Sequence, residues 1–323
     1  MAIQTALTEK LGIAAPVLLA PMGMVSGGKL AAAVTHAGGL GIIGGGYCDS
    51  EWVGREIREA GNVQIGVGFI TWALEQNPGL LDIVIAQRPK AIFLSFGQLG
   101  RFVAPVRQAG LPLIAQIQSV AQARIAVEEG ADIIVAQGTE AGGHGSTRST
   151  LPLVPAVVDA VGNVPVVAAG GIADGRGLAA ALMLGASGVL CGTAFLAADE
   201  ALAHPNVKGA VVSASGDSTA RGKVFDTIRG YDWPKPWNIR TLVNDFSRRW
   251  ESDREGLQRD LDQQKANYAA ARDAGDVSVV AVIAGEAVDL IHAQQPAADI
   301  LNAMVAQAES LLLRGPAFSA SGR

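Results

Sequence analysis

His144 stands in the stretch Gln137-Gly138-Thr139-Glu140-Ala141-Gly142-Gly143-His144-Gly145, and of the four histidines it is the one whose setting suits chemistry. An imidazole on a glycine-rich loop can take a proton, or hydrogen-bond an anion, near neutral pH. The plain alternative is a loop histidine bonded to a carbonyl. His36 lies inside a helix-like run, His204 sits beside Pro205 at a helix end, and His292 falls near a change in composition, so these three read as structural. Glu140 is either a second acid or base, or a carboxylate that caps nearby amides. Two further segments suit a phosphorylated ligand: Ala169-Gly170-Gly171-Ile172-Ala173-Asp174 and Gly192-Thr193-Ala194. Gly171 has no Cβ, so its backbone N–H can approach a phosphate closely, and Thr193 adds a hydroxyl donor. A fourth loop, Ala20-Pro21-Met22-Gly23-Met24, also follows an apolar run.

Two apparent matches fail on context. Gly39-Leu40-Gly41-Ile42-Ile43-Gly44 fits the dinucleotide fingerprint by letter, but it leaves a helix and enters a strand, the reverse of what that motif requires. The run from Gly138 to His144 has histidine where a phosphate loop needs lysine. Cys48 and Cys191 have no base nearby in sequence and form neither a disulfide framework nor a metal pattern; they read as packing residues of a reduced compartment.

These loops need elements to hold them. Apolar, β-branched runs recur at Val17–Ala20, Leu40–Ile43, Gln64–Gly68, Ala91–Phe96, Pro112–Ile117, Asp132–Ala136, Pro165–Ala168 and Gly188–Cys191, spaced as strands separated by crossover helices such as Gln118–Glu129 and Asp174–Leu184. Continuous rather than alternating hydrophobicity marks parallel strands covered on both faces. Eight such units predict an α/β fold, a (β/α)8 TIM barrel, with an open sheet of six or seven strands as the alternative. In such barrels active sites sit at the C-terminal strand ends, and phosphate sites commonly follow strands seven and eight. The loops named above fall there.

The 323 residues are 49% hydrophobic and 17% charged, which excludes disorder, and 40 of them are glycine against a usual ~7%. A net charge of -5 without blocks of like charge argues against nucleic acid or an anionic membrane as the main partner. The N-terminus lacks a signal-peptide layout and no stretch reaches the ~20 apolar residues of a membrane span, so a cytoplasmic location is expected. After Thr193 the composition shifts towards Arg, Asp, Gln and Trp. Three parts are expected: a barrel over 1–221, a smaller helical cap over 222–292 at the barrel's C-terminal mouth, and a C-terminal segment, 293–323, whose helix Pro296–Leu313 returns to the barrel. Within the cap, Ser247–Asp273 reads as one polar helix, and Trp233, Trp237 and Trp250 are expected to dock it.

Ala20-Pro21-Met22, the Gln137–His144 string, Ala169-Gly170-Gly171-Ile172 and Gly192-Thr193 together resemble the nitronate monooxygenases, formerly 2-nitropropane dioxygenases, from about Ile13 to Ala201. The resemblance implies non-covalently bound FMN, with Gly170, Gly171, Gly192 and Thr193 around its phosphate and Met22, Gly23, Gln137 and Gly142 among the other flavin contacts. It implies that His144 handles the nitroalkane α-proton or binds the nitronate. Alkyl nitronates, or nitroalkanes such as 3-nitropropionate, would be oxidised with molecular oxygen to carbonyl compounds and nitrite. No metal is implied, and a homodimer is left open. The sequence departs from the better-known bacterial pattern at Gly68, where many members carry Asn, and at Gln116, where a Lys can occur. The alternatives are an NAD(P)H-dependent FMN reductase of the quinone reductase or enoyl-acyl-carrier-protein reductase type, and a flavin-free phosphate-binding barrel.

Overall fold

A computed structural model describes residues 3–314; the last part of the expected C-terminal segment, 315–323, lies outside them. In chain order the strands are β1 (Val17–Leu19), β2 (Ile42–Gly44), β3 (Gly66–Ile70), β4 (Ile92–Ser95), β5 (Leu113–Ile117), β6 (Ile133–Gln137), β7 (Gly143–Gly145), β8 (Val166–Ala169), β9 (Gly188–Cys191), β10 (Thr219–Gly222) and β11 (Asn238–Leu242). Eight of them form one parallel sheet in the order β1-β9-β8-β6-β5-β4-β3-β2. A parallel bridge between Leu18 and Leu40 joins its two edges, with Leu19 N–H donating to Leu40 O at 2.9 Å and Leu40 N–H to Val17 O at 3.0 Å. The sheet therefore closes into a TIM barrel, and each of the eight apolar runs overlaps one of its strands, with β2, β6 and β8 ending one residue beyond the run. The third run starts two residues later than expected and extends through Phe69 and Ile70, which pair with Leu94 and Ser95.

Side-chain alternation divides the core in two. Leu18, Ile42, Phe93, Ile114, Val135, Val167 and Leu190 point into the barrel, whereas Val17, Leu19, Ile43, Val67, Leu94 and Val189 pack against the helices. The N-terminal helix Ala6–Leu11 adds Leu7 and Leu11 to the inner cluster, and the Thr5 hydroxyl donates to Ser187 O at 2.6 Å just before β9. That helix plugs the N-terminal end of the barrel, which leaves the opposite end for a ligand. Helix Ala297–Leu313 packs on Gly175–Met183 and Gly28–His36, with Gly175 N–H donating to Gln307 Oε1 at 2.8 Å.

β10, β11 and β7 make a second, antiparallel sheet in which Ile239 lies opposite His144. Segment 222–292 thus carries a strand as well as its helices. The expected single helix Ser247–Asp273 is instead three: Asp245–Ser252, Arg254–Arg259 and Leu261–Ala274. Asp253 and Asp260 separate them; the Asp253 carboxylate competes for backbone amides, and that residue leaves the helix and accepts from Gly256 N at 2.8 Å, whereas the Asp260 side chain makes no cap. These helices share a core of Val224, Phe225, Ile228, Ile239, Phe246, Trp250 and Leu257. Trp250 is a member of that inner core and does not dock against the barrel. Trp233 and Trp237 do, beside Phe96, Tyr47 and Ile70.

Candidate active site

A cavity of about 360 Å³ opens at the C-terminal ends of the barrel strands. Met22, Gly23, Gln137, Gly142, His144, Gly170, Gly171, Gly192 and Thr193, singled out from four separated loops, all line it, as do Gly68, Gln116 and Glu140. Parallel strands in register bring their following loops to one rim, so distance along the chain is no obstacle.

On one side of the cavity the loops after β8 and β9 present backbone. Gly170 and Gly171 hold φ angles of 101° and 72°, the left-handed region that a side chain disfavours. Among the described residues, no acceptor is found for the backbone N–H groups of Gly171, Gly192 or Thr193. Gly171 is exposed and Gly192 and Thr193 are half-buried beside the cavity, so these open amides suit an anionic oxygen such as a phosphate. The Thr193 hydroxyl accepts from Gly285 N at 2.9 Å and keeps its own proton to donate. Gly142 lies so close to the chain at Ala284 and Gly285 that a Cβ would come within 2.6 Å of the Ala284 carbonyl carbon.

On the other side sits His144, in β7 rather than on a free loop, and only 9% exposed. Its Nε2 lies 2.8 Å from Asp226 Oδ1, and its ring stacks on Trp233 with centroids 3.4 Å apart and planes within 9°. Burial lowers the pKa of His144 below the usual 6.5, outweighing the bond to Asp226, which acts in the opposite direction. The imidazole is therefore neutral at pH 7. A neutral ring that donates Nε2–H to the carboxylate retains Nδ1 as its accepting nitrogen. Among the described residues Oδ2 of Asp226 is buried without a partner, and the histidine supplies the one hydrogen bond they give that carboxylate. The backbone of His144 is held as well, because Gln137 Nε2 donates to its carbonyl at 3.0 Å. Gln137 Oε1 in turn accepts from Gln116 at 3.2 Å and Gln118 at 2.9 Å, and Gln118 Oε1 accepts from Trp237 Nε1 at 3.0 Å. Gln116 thus belongs to the amide chain that positions the histidine. At Gly68 a Cβ would meet Pro21 Cβ at 2.5 Å, which explains the absence of a side chain there.

Of the two readings of Glu140, the structure supports the capping one. Both its oxygens accept from Thr150 N, at 3.1 and 3.0 Å, and Oε2 also from the Thr150 hydroxyl at 2.8 Å, at the start of helix Thr150–Val161. Arg221 and Arg240 both donate to Thr139 O and tie the glycine-rich loop to the second sheet. His204 caps helix Pro205–Val212, accepting from Asn206 N through Nδ1. Cys48 and Cys191 are buried, and burial pushes both thiols up to about 12. Among the described residues no cluster of His, Cys, Asp or Glu suits a metal, and no helix is long and apolar enough to cross a membrane.

Several residues of the site were not foreseen: Asp226, which stands behind His144 without lining the cavity, Trp233 in its role against the ring, and the lining residues Tyr47, Arg229 and Tyr231. Tyr47 and Tyr231 stack at 3.6 Å, and Tyr47 Oη accepts from Trp233 Nε1 at 2.9 Å. The only available hint was the concentration of aromatic and charged residues in Asp226–Trp237.

The sequence pattern of the nitronate monooxygenase family matches residues 4–69 and 70–307. A nitronate monooxygenase of Metarhizium robertsii, npaC, is 37% identical, with 92% of this chain and 91% of that protein covered. Among solved structures, FabK of Thermotoga maritima superposes with a TM-score of 0.86 at 29% identity, over 98% of this chain and 99% of that one. A nitroalkane oxidase of Streptomyces ansochromogenes reaches 0.80 at 29% identity, over 96% and 99%.

Proposed function

Because the chain belongs to the nitronate monooxygenase family of oxidoreductases, we propose that its cavity binds FMN and that it oxidises alkyl nitronates with molecular oxygen to carbonyl compounds and nitrite. The observation that carries this reading is a cavity with unpartnered amides at one edge and a buried, neutral histidine at the other. FMN, when bound, would supply the one-electron acceptor that a nitronate requires. Gly170, Gly171, Gly192 and Thr193 would hold its phosphate, and Met22, Gly23, Gln137 and Gly142 would contact the rest. FMN rather than FAD is favoured because the chain has no dinucleotide fingerprint in the right context.

The chain's own groups then divide the work. With a neutral nitroalkane, His144 Nδ1 takes the α-proton. Asp226 stabilises the imidazolium that forms and keeps the proton on Nε2 beforehand, so that Nδ1 is free to act. Trp233 on one face of the ring and Gln137 on the backbone restrict its orientation, and the aromatic wall excludes water. With a preformed nitronate no proton needs to move, and His144 would bind the anion only once Nδ1 carries a proton to donate.

The test is direct. The purified protein should be yellow with a band near ~450 nm, and the released cofactor should have the mass of FMN. Anaerobic mixing with an alkyl nitronate should bleach that band. Bleaching by NADH and not by the nitronate would instead assign an NAD(P)H-dependent FMN reductase, and a colourless protein would overturn both.

A further inference from the structure

Arg221, in β10, stands behind the glycine-rich loop and does not line the cavity. Its guanidinium forms no ion pair with a described residue. It donates instead to Thr139 O at 2.9 Å from Nη2 and 3.2 Å from Nε, to Ala141 O at 3.1 Å, to Gly143 O at 3.2 Å and to Asn238 O at 2.8 Å. Gly145 leaves the space that it fills, since a Cβ there would come within 2.6 Å of Nη2. A half-buried cation without a carboxylate is costly; burial, reinforced by the charge of Arg240, pushes its pKa down to about 10. Fastening the loop to the second sheet does not require this arrangement. Arg240 already does so through Thr139 O at 3.0 Å, while paired with Glu286.

The carbonyls held by Arg221 within the loop belong to alternate residues, 139, 141 and 143. The residues between them have other partners. Glu140 O accepts from Glu286 N at 2.9 Å, and His144 O accepts from Gln137 Nε2 at 3.0 Å. Gly142 lines the cavity, and its N–H has no acceptor among the described residues. We propose that Arg221 is a positioning residue: by holding the carbonyls of Thr139, Ala141 and Gly143 away from the cavity, it presents the Gly142 N–H to the flavin and fixes where His144 enters the site. The inference rests on the function proposed above and deepens it. Three charges face the imidazole: Asp226 and Arg229 from helix Val224–Arg229, and Arg221 from β10. The Arg221 cation disfavours the imidazolium. Removing that charge should therefore raise the pH at which His144 loses its proton, whereas a lysine in its place should not.

Arg221→Gln, Arg221→Lys and Arg240→Met separate this role from simple fastening. The first readout is independent of turnover: the FMN dissociation constant, from the recovery of flavin fluorescence when holoenzyme is diluted. It should rise about tenfold in Arg221→Gln, the equivalent of one misplaced hydrogen bond. The second is turnover of a neutral nitroalkane against pH. In Arg221→Gln kcat should fall about a hundredfold, the loss for a displacement of about 1 Å, and the acid limb should move to higher pH. Arg221→Lys, which keeps the charge but not the fork, should weaken FMN binding by a smaller factor and leave the limb at the parent's pH. Arg240→Met, which cuts a tie of the same loop but leaves the Arg221 charge, should also leave the limb in place. FMN affinity equal to the parent's in either Arg221 variant would overturn the inference. So would an unmoved limb in Arg221→Gln, or an equal shift in Arg240→Met. If Arg221→Gln does not fold, the FMN affinity of Arg221→Lys decides. A parent that binds FMN but turns over no nitroalkane would defeat the oxidase reading alone, and the FMN comparison would then decide the role of Arg221. A parent that binds no FMN would overturn both.

Discussion

Replacing His144 by glutamine should separate proton transfer from every other role of this residue. Alanine is the wrong choice here. Asp226 is 4% exposed and its Oδ2 is already unpartnered, so removing the imidazole would leave a buried carboxylate with no hydrogen bond at all. Breaking a buried pair in that way costs roughly 3–5 kcal/mol, enough to mix a folding defect with a catalytic one. Glutamine can still donate an N–H towards Asp226 Oδ1, but it has no basic nitrogen. Turnover of a neutral nitroalkane should then fall by about 10²–10⁴, the range for loss of a general base. Turnover of the corresponding nitronate should fall by only about tenfold or less, since no proton is transferred and at most about one hydrogen bond is lost. The assay is nitrite release from nitroethane and from ethyl nitronate at pH 7, with flavin content and melting temperature recorded for each protein. With the parent enzyme, nitroethane turnover should rise with pH through a value below 6.5, where burial holds His144, and the variant should lack that limb. Equal damage with both substrate forms, or none with either, would refute proton abstraction by His144.

Three further outcomes are expected. The unfolded chain takes up a proton on His144 near its ordinary pKa of about 6.5, while the native protein resists until a lower pH; stability should therefore fall as pH drops through that window and level off below it, and a plot of melting temperature against pH for the parent minus His144→Gln should show this slope. Gly171→Val should lower FMN content well beyond any loss of melting temperature, because the branched side chain must adopt a φ of 72° with its Cβ 3.4 Å from that of Glu140; full FMN occupancy would remove Gly171 from the phosphate site. With both thiols held at about 12, Cys48 and Cys191 should resist iodoacetamide in the native protein at pH 8 and react on unfolding, as counted by mass spectrometry; rapid native labelling would contradict their burial.

The barrel was legible because its signal is local and repeated. Each strand needs a short apolar run, each crossover needs a helix, and both are written in consecutive residues. The loops after β1, β6, β8 and β9 could be found for the same reason, since glycine is demanded wherever backbone must approach closely or φ must be positive, as at Gly170 and Gly171. The second sheet was not legible. β11 reads Asn-Ile-Arg-Thr-Leu, with an arginine at its centre that is 9% exposed, and a buried Arg240 makes sense only once Thr139 O and Glu286 are seen beside it. The helix break at Asp253 was hidden likewise, because the competition between its carboxylate and the backbone is settled by a few residues of local geometry.

The composition, the strand rhythm and the placing of His144 on a glycine-rich loop follow from the order of residues along the chain. The chemistry available to that histidine does not. Asp226 lies 82 positions away and reaches Nε2 only because β11 pairs β7 and carries its helix over the barrel mouth. The stacking of Trp233 and the burial that keeps the ring neutral depend on the same docking. A protonation state is set by what surrounds a group in three dimensions, through desolvation and charges within a few ångströms, and neither is encoded in sequence separation.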